Sequence, residues 1–143
     1  MTAFNFEQAR FNMIEQQIRP WDVLDQRALD TLTQTPREDF VPERYRNLAF
    51  GDVAIPLGHG EFMLKPNVEG RILQALALQA TDHVLEVGTG SGYLTACLAR
   101  LTASVVSVDI VPDFTEDARR KLKAHGLSNV VLHTGDASRG WGE

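Results

Sequence analysis

The chain has 143 residues, with 14 basic and 19 acidic side chains and a formal charge of −5. Its 43% apolar and 23% charged residues are those of a globular chain able to bury a single core; the acidic balance argues against a non-specific nucleic-acid binder, which needs a basic stripe. No apolar run approaches the roughly 20 residues of a membrane helix, and a single cysteine, Cys97, rules out an internal disulfide or a cysteine-rich zinc site.

The N-terminal stretch MTAFNFEQAR has an early Glu7 and no apolar run of the kind a secretion signal needs, so the chain reads as cytoplasmic. Cys97 reads as a small buried hydrophobe. Residues 6–18 carry an amphipathic helical pattern. Asn5 suits the cap, and Gln8, three residues on, suits a capping box. Phe11, Ile14 and Ile18 fall on one side, flanked by Met13, and Pro20 ends the segment. A second short helix spans residues 25–33, with Leu29 and Leu32 inward. Residues 36–66, PREDFVPERYRNLAFGDVAIPLGHGEFMLKP, read as one long turn-rich loop of the kind that forms binding loops or lids.

Pro66 can open a helix over residues 67–78, with Val68, Ile72 and Leu76 on its apolar face. The pattern then alternates. Residues 83–87 (HVLEV) form a strand, and a glycine turn runs into a helix. Residues 104–110 (SVVSVDI) form a second strand. A polar-faced helix over 112–125 stops at Gly126, and residues 129–134 (NVVLHT) form a third strand. This alternation marks an α/β fold with a doubly wound parallel sheet. Residues 1–66 then form a helical and loop cap, and residues 67–143 a cofactor-binding region.

The central motif is Glu86-Val87-Gly88-Thr89-Gly90-Ser91-Gly92, between a strand and a helix. Glycines permit a tight turn and close approach of a ligand, and the helix start offers N–H groups and a positive dipole end. Dinucleotide sites use G-x-G-x-x-G. Here the third glycine comes one position early, and Tyr93 stands in its place. That spacing suits a ligand without a pyrophosphate, such as S-adenosyl-L-methionine, whose carboxylate can use the helix start while Glu86 favours its cationic amino end. A carboxylate in an apolar strand is costly without a partner, which argues for a site role for Glu86.

Asp109, 21 residues after Gly88, ends the second strand beside Ile110. An acid at this distance accepts hydrogen bonds from ribose hydroxyls, although Asp109 could equally cap the next helix. Asp136 ends the third strand, where it and the N–H of Ala137 could read an adenine edge, or where it could serve as a turn residue. His59, His83, His125 and His133 lack metal-ligand spacing, so no metal is expected. His59, in Gly58-His59-Gly60, is the histidine nearest the presumed site. Arg119, Arg120, Lys121 and Lys123 read as one solvated helix face.

These residues resemble the protein-L-isoaspartate O-methyltransferase family. VLEVGTGSGYLTACLARL is similar to its first cofactor motif, SVDI to its ribose-binding strand end, and NVVLHTGDASRGW to its adenine-side strand. MIEQQIRPWDVLDQRALDTL and PREDFVPERYRNLAFGDVAIPLGHG resemble its N-terminal lid. The resemblance implies a Rossmann-like fold, of which this chain holds the N-terminal half. It also implies S-adenosyl-L-methionine as cofactor and isoaspartyl peptides or proteins as partners. An isoaspartyl carboxylate takes the methyl group, and the ester collapses to a succinimide that hydrolyses partly to aspartate.

Two departures from the family pattern stand out. The family's Gln-Thr-Ile-Ser segment, with its serine at the reaction centre, is matched by Glu61-Phe62-Met63-Leu64, so Leu64 replaces that serine and Met63 precedes it in the substrate-side loop with His59. A cofactor-binding but catalytically silent relative, or a methyltransferase of the same fold with another acceptor, therefore stand as alternatives. The family's sheet also continues past the adenine-side aspartate. A fragment that stops at Glu143 is expected to leave the first parallel strand as an apolar edge prone to self-association.

Overall fold

In the computed structural model, which describes residues 4–142, the chain divides after Leu78 into two units. The N-terminal unit begins with α1 (Phe6–Met13), capped by Asn5, whose side chain accepts from the Gln8 backbone N–H at 3.0 Å. The capping box is only half formed, because the Gln8 side chain turns to Asn12 instead. Beyond Met13 the helix widens into a π-helical turn, Ile14–Ile18, and then tightens into a 3₁₀ turn, Arg19–Trp21, that contains Pro20. The extra residue per turn rotates the inward face. Met13, Ile14 and Ile18 are buried, while Phe11 is 60% exposed, contrary to the straight-helix expectation. Asp25 caps α2 (Gln26–Gln34), which buries Leu29 and Leu32 as expected.

The segment over residues 36–66 is more ordered than its turn-rich composition suggests. It holds two 3₁₀ turns, Arg37–Asp39 and Glu43–Leu48, and an antiparallel hairpin of β1 (Ile55–Gly58) and β2 (Glu61–Met63). Strands this short show no readable alternation. Gly58, His59 and Gly60 at the hairpin tip all have positive φ.

Arg37 is buried at the centre of this unit. Its Nε donates to Ala49 O at 2.6 Å, its Nη2 to Leu64 O at 2.8 Å, and its Nη1 pairs with Glu69 on α3 (Pro66–Leu76). That pair sets the face α3 buries. Pro66, Asn67, Glu69, Gly70 and Leu73 point inward, whereas Val68 and Leu76 are exposed and Ile72 is half-buried. The apolar-stripe expectation is thereby corrected. Gly70 permits the closeness of this contact, since a Cβ there would come within 3.0 Å of Ile18 and 3.3 Å of Val23.

The C-terminal unit is a parallel sheet of β3 (His83–Val87), β4 (Ser104–Asp109) and β5 (Val130–Thr134), in that order, with α4 (Tyr93–Leu101) and α5 (Pro112–Ala124) as crossovers. Glu86 of β3 bonds to Thr95 of α4, and Thr134 of β5 bonds to Thr115 of α5. The register places Glu86, Ser107 and Leu132 on one face and Asp109 and Thr134 on the same face, so both helices lie there. This is one half of a doubly wound, Rossmann-like sheet. On the other face Leu85, Val87 and Val131 are exposed. Cys97 is buried in α4. Gly126 ends α5 with φ 70°, its N–H bonded to Lys123 O and that of Leu127 to Leu122 O. Among the described residues no helix is long and apolar enough to cross a membrane.

Candidate functional site

The glycine turn leaves β3 with its ladder still running, because Gly88 N donates to Val108 O at 2.7 Å. Gly88, Gly90 and Gly92 then take φ of 99°, 54° and 85°, a path that side chains with a Cβ rarely adopt. A Cβ on Gly88 would meet nothing within 4 Å, so one side of the turn is open. The start of α4 is less available than the sequence suggests. Gly92 N donates to Thr89 O and Tyr93 N to Ser91 Oγ, which uses two donors that were expected to face a ligand carboxylate.

Asp109 lies across from the turn at the end of β4. Its Oδ2 accepts from Gly90 N at 3.0 Å and its Oδ1 from Val111 N at 2.9 Å, so it braces both the turn and the entry to α5. Its backbone carbonyl accepts from Gly135 N at 2.9 Å, which brings the Gly135-Asp136-Ala137 loop beside it. Ile110 follows, exposed. Asp136 is exposed, and hydrogen bonds from Ser138 hold its carboxyl below the usual carboxylate range. Ala137 is half-buried, and its carbonyl accepts from Gly140 N. The Trp141 ring covers Gly135 so closely that a Cβ there would come within 2.9 Å.

Glu86 is buried and turned toward Thr95 and Ser107. Lys121 departs from the expected solvated face. It is half-buried, and its Nζ reaches Asp117 at 2.7 Å and Ser91 O at 3.3 Å, so the turn is tied to α5 as well. Sequence reasoning missed Lys121, Ser107, Thr95 and Trp141. Ser107 carried a signal, as a hydroxyl at an inward position of an apolar strand.

In the N-terminal unit, His59 sits exposed at the hairpin tip. Met63 is buried in that unit's core, which removes it from a substrate-facing role. Leu64 is half-exposed, its carbonyl held by Arg37. Burial pushes Glu69 up to about 7, against the lowering influence of the Arg37 guanidinium. Among the described residues no group of three or more His, Cys, Asp or Glu could hold a metal ion.

A parallel sheet whose first strand runs through a glycine turn into a helix, with Asp109 ending the next strand and Asp136 two residues past the third, defines a Rossmann-like α/β unit. The chain belongs to the protein-L-isoaspartate(D-aspartate) O-methyltransferase family, whose model matches residues 8–143. It is 39% identical over 139 residues to protein-L-isoaspartate O-methyltransferase 1 of Rhodopseudomonas palustris (strain HaA2), covering 97% of this chain and 57% of that protein. It is 44% identical over 119 residues to the protein-L-isoaspartate O-methyltransferase of Myxococcus xanthus (strain DK1622), covering 83% and 56%. The chain thus spans little more than half the length of these relatives. A solved protein-L-isoaspartate O-methyltransferase superposes with a TM-score of 0.71 at 23% identity, over 93% of this chain and 43% of that one, which supports the fold. A dimethyladenosine transferase from Plasmodium falciparum superposes at 0.53 with 28% identity, over 55% and 29%.

Proposed function

We propose that this chain binds S-adenosyl-L-methionine at the carboxyl edge of its parallel sheet and forms the cofactor side of a protein-L-isoaspartate O-methyltransferase acting in protein repair. The observation that carries the reading is Asp109. A carboxylate has about four acceptor positions. Backbone N–H groups engage one on each oxygen, which orients the group and leaves a second on each for the paired hydroxyls of a ribose. The open side of Gly88 suits close approach of a nucleoside, and Asp136, whose carboxyl the Ser138 hydrogen bonds hold below its usual range, suits the amino edge of adenine beside Ala137. When bound, the cofactor supplies an activated methyl group on a positively charged sulfur. An isoaspartyl carboxylate is already ionised near neutral pH, so the protein's task is alignment and water exclusion rather than proton abstraction.

Leu64 favours a second reading. Its side chain has no hydroxyl to offer where the family places a serine, which fits a relative that binds cofactor without transferring methyl groups, or one with another acceptor. Titration with S-adenosylhomocysteine and a labelled-methyl transfer assay on an isoaspartyl peptide separate the readings. Binding with transfer supports repair activity, binding without transfer supports the silent relative, and no binding refutes both. The outer strand β3 is proposed as a surface for self-association, and the working compartment as the cytoplasm.

A further inference from the structure

Four polar side chains lie together in the C-terminal unit: Glu86 on β3, Thr89 in the glycine turn, Thr95 on α4 and Ser107 on β4. All are buried, and Thr95 and Ser107 completely so. Ser107 Oγ donates to Glu86 Oε1 at 2.6 Å, Thr95 Oγ1 donates to the same oxygen, and Ser107 Oγ lies 2.6 Å from Thr89 Oγ1. A serine hydroxyl has one hydrogen. That of Ser107 is given to Glu86, so the hydrogen between Ser107 and Thr89 comes from Thr89. Donation therefore runs from Thr89 to Ser107 to Glu86, with Thr95 as a second donor to the same carboxylate.

Direction matters because each bond in a chain polarises the next. The carboxylate fixes the rotor of Ser107, and Ser107 fixes that of Thr89. Thr89 is the residue between Gly88 and Gly90, two of the three positions in the turn where the backbone takes its left-handed path. With its hydroxyl anchored to β4, the turn is fastened from its inner side at the point where glycine leaves it most free to move. Glu86 makes these contacts inside the unit, where it is 9% exposed.

We propose that Glu86 is a positioning residue for the cofactor-binding turn. Acting through Ser107 on Thr89, its carboxylate holds residues 88–92 in the conformation a nucleoside cofactor needs, and it does not itself contact the ligand. The identity of that ligand rests on the proposed function above, and the test keeps the two apart.

The test is amide hydrogen exchange followed by NMR on the 143-residue chain, with S-adenosylhomocysteine affinity measured alongside. Ser107→Ala and Thr89→Val each speed exchange at residues 88–92 about tenfold or more and leave β5 unchanged. The double variant is no faster than either single one, because both break the same chain. Glu86→Gln, which keeps an acceptor oxygen, retains more protection than Glu86→Ala, and affinity falls in the same rank order. Unchanged exchange at the turn in Ser107→Ala, or additive effects in the double variant, overturns the proposal. If the turn responds as described but the unaltered chain fails to bind S-adenosylhomocysteine, the positioning role stands and the cofactor reading falls.

Discussion

Replacing Arg37 by methionine tests the organisation of the N-terminal unit. The guanidinium is 1% exposed and serves Glu69, Ala49 O and Leu64 O together. Methionine fills similar space and supplies no donor. Breaking a buried ion pair from one side costs about 3–5 kcal/mol, and each orphaned carbonyl about 1–3 kcal/mol before relaxation. Relaxation is available here, because Glu69 can take up a proton and shed its charge. Its carboxyl stands at about 7 in the folded chain against an ordinary 4.5. Between those values the native state binds more protons than the unfolded one, so this group's contribution is full below 4.5 and is lost as pH rises through 7. We therefore expect Arg37→Met to lose about 3–5 kcal/mol at pH 8 and distinctly less at pH 5.5. Urea denaturation followed by Trp21 fluorescence in a Trp141→Phe background leaves the reporting tryptophan in this unit. A loss under about 1 kcal/mol at pH 8, or a larger loss at the lower pH, refutes the reasoning.

Three further outcomes are expected. Asp109→Asn weakens S-adenosylhomocysteine binding at least tenfold, about 1.4 kcal/mol, because the paired acceptor is lost; unchanged affinity by titration calorimetry removes Asp109 from the site. Gly88→Ala lowers stability by about 1–3 kcal/mol through backbone strain alone, since the added methyl group meets open space; a thermal midpoint equal to the parent's contradicts the φ of 99°. The chain associates through β3, and Val87→Lys, placing a charge on an outer strand where Val87 is 61% exposed, shifts it to monomer; a parent chain that is already a monodisperse monomer by light scattering rejects that surface.

The sheet was legible in the sequence wherever a local rule acted alone. β-branched runs gave β3, β4 and β5 to within a residue, and Gly126 marked the end of α5. Asp109 stood out because its distance from the turn is fixed by one helix and one strand. What could not be read depended on partners distant in sequence. Nothing near Glu69 announces that Arg37, 32 residues away, will draw it inward and turn Val68 and Leu76 outward. The π-helical turn after Met13 likewise follows from packing, so Phe11 left the face its spacing assigned. Lys121 looked like its neighbours Arg119 and Arg120, and only the position of Ser91 O distinguishes it. The short hairpin held too few residues for alternation to show.

The order β3-β4-β5 bears on how the sheet is made. His83 pairs with Ser104, and Val105 with Val130, so each strand joins the one synthesised just before it. The two chain closures are of nearly equal length, and their entropic costs differ by only about 0.2 kcal/mol. Neither pairing is favoured over the other by reach. Glu86 and Ser107 close over 21 residues and Asp109 and Thr134 over 25, so the edge that carries Asp109 and Asp136 is assembled from two local closures inside the C-terminal unit.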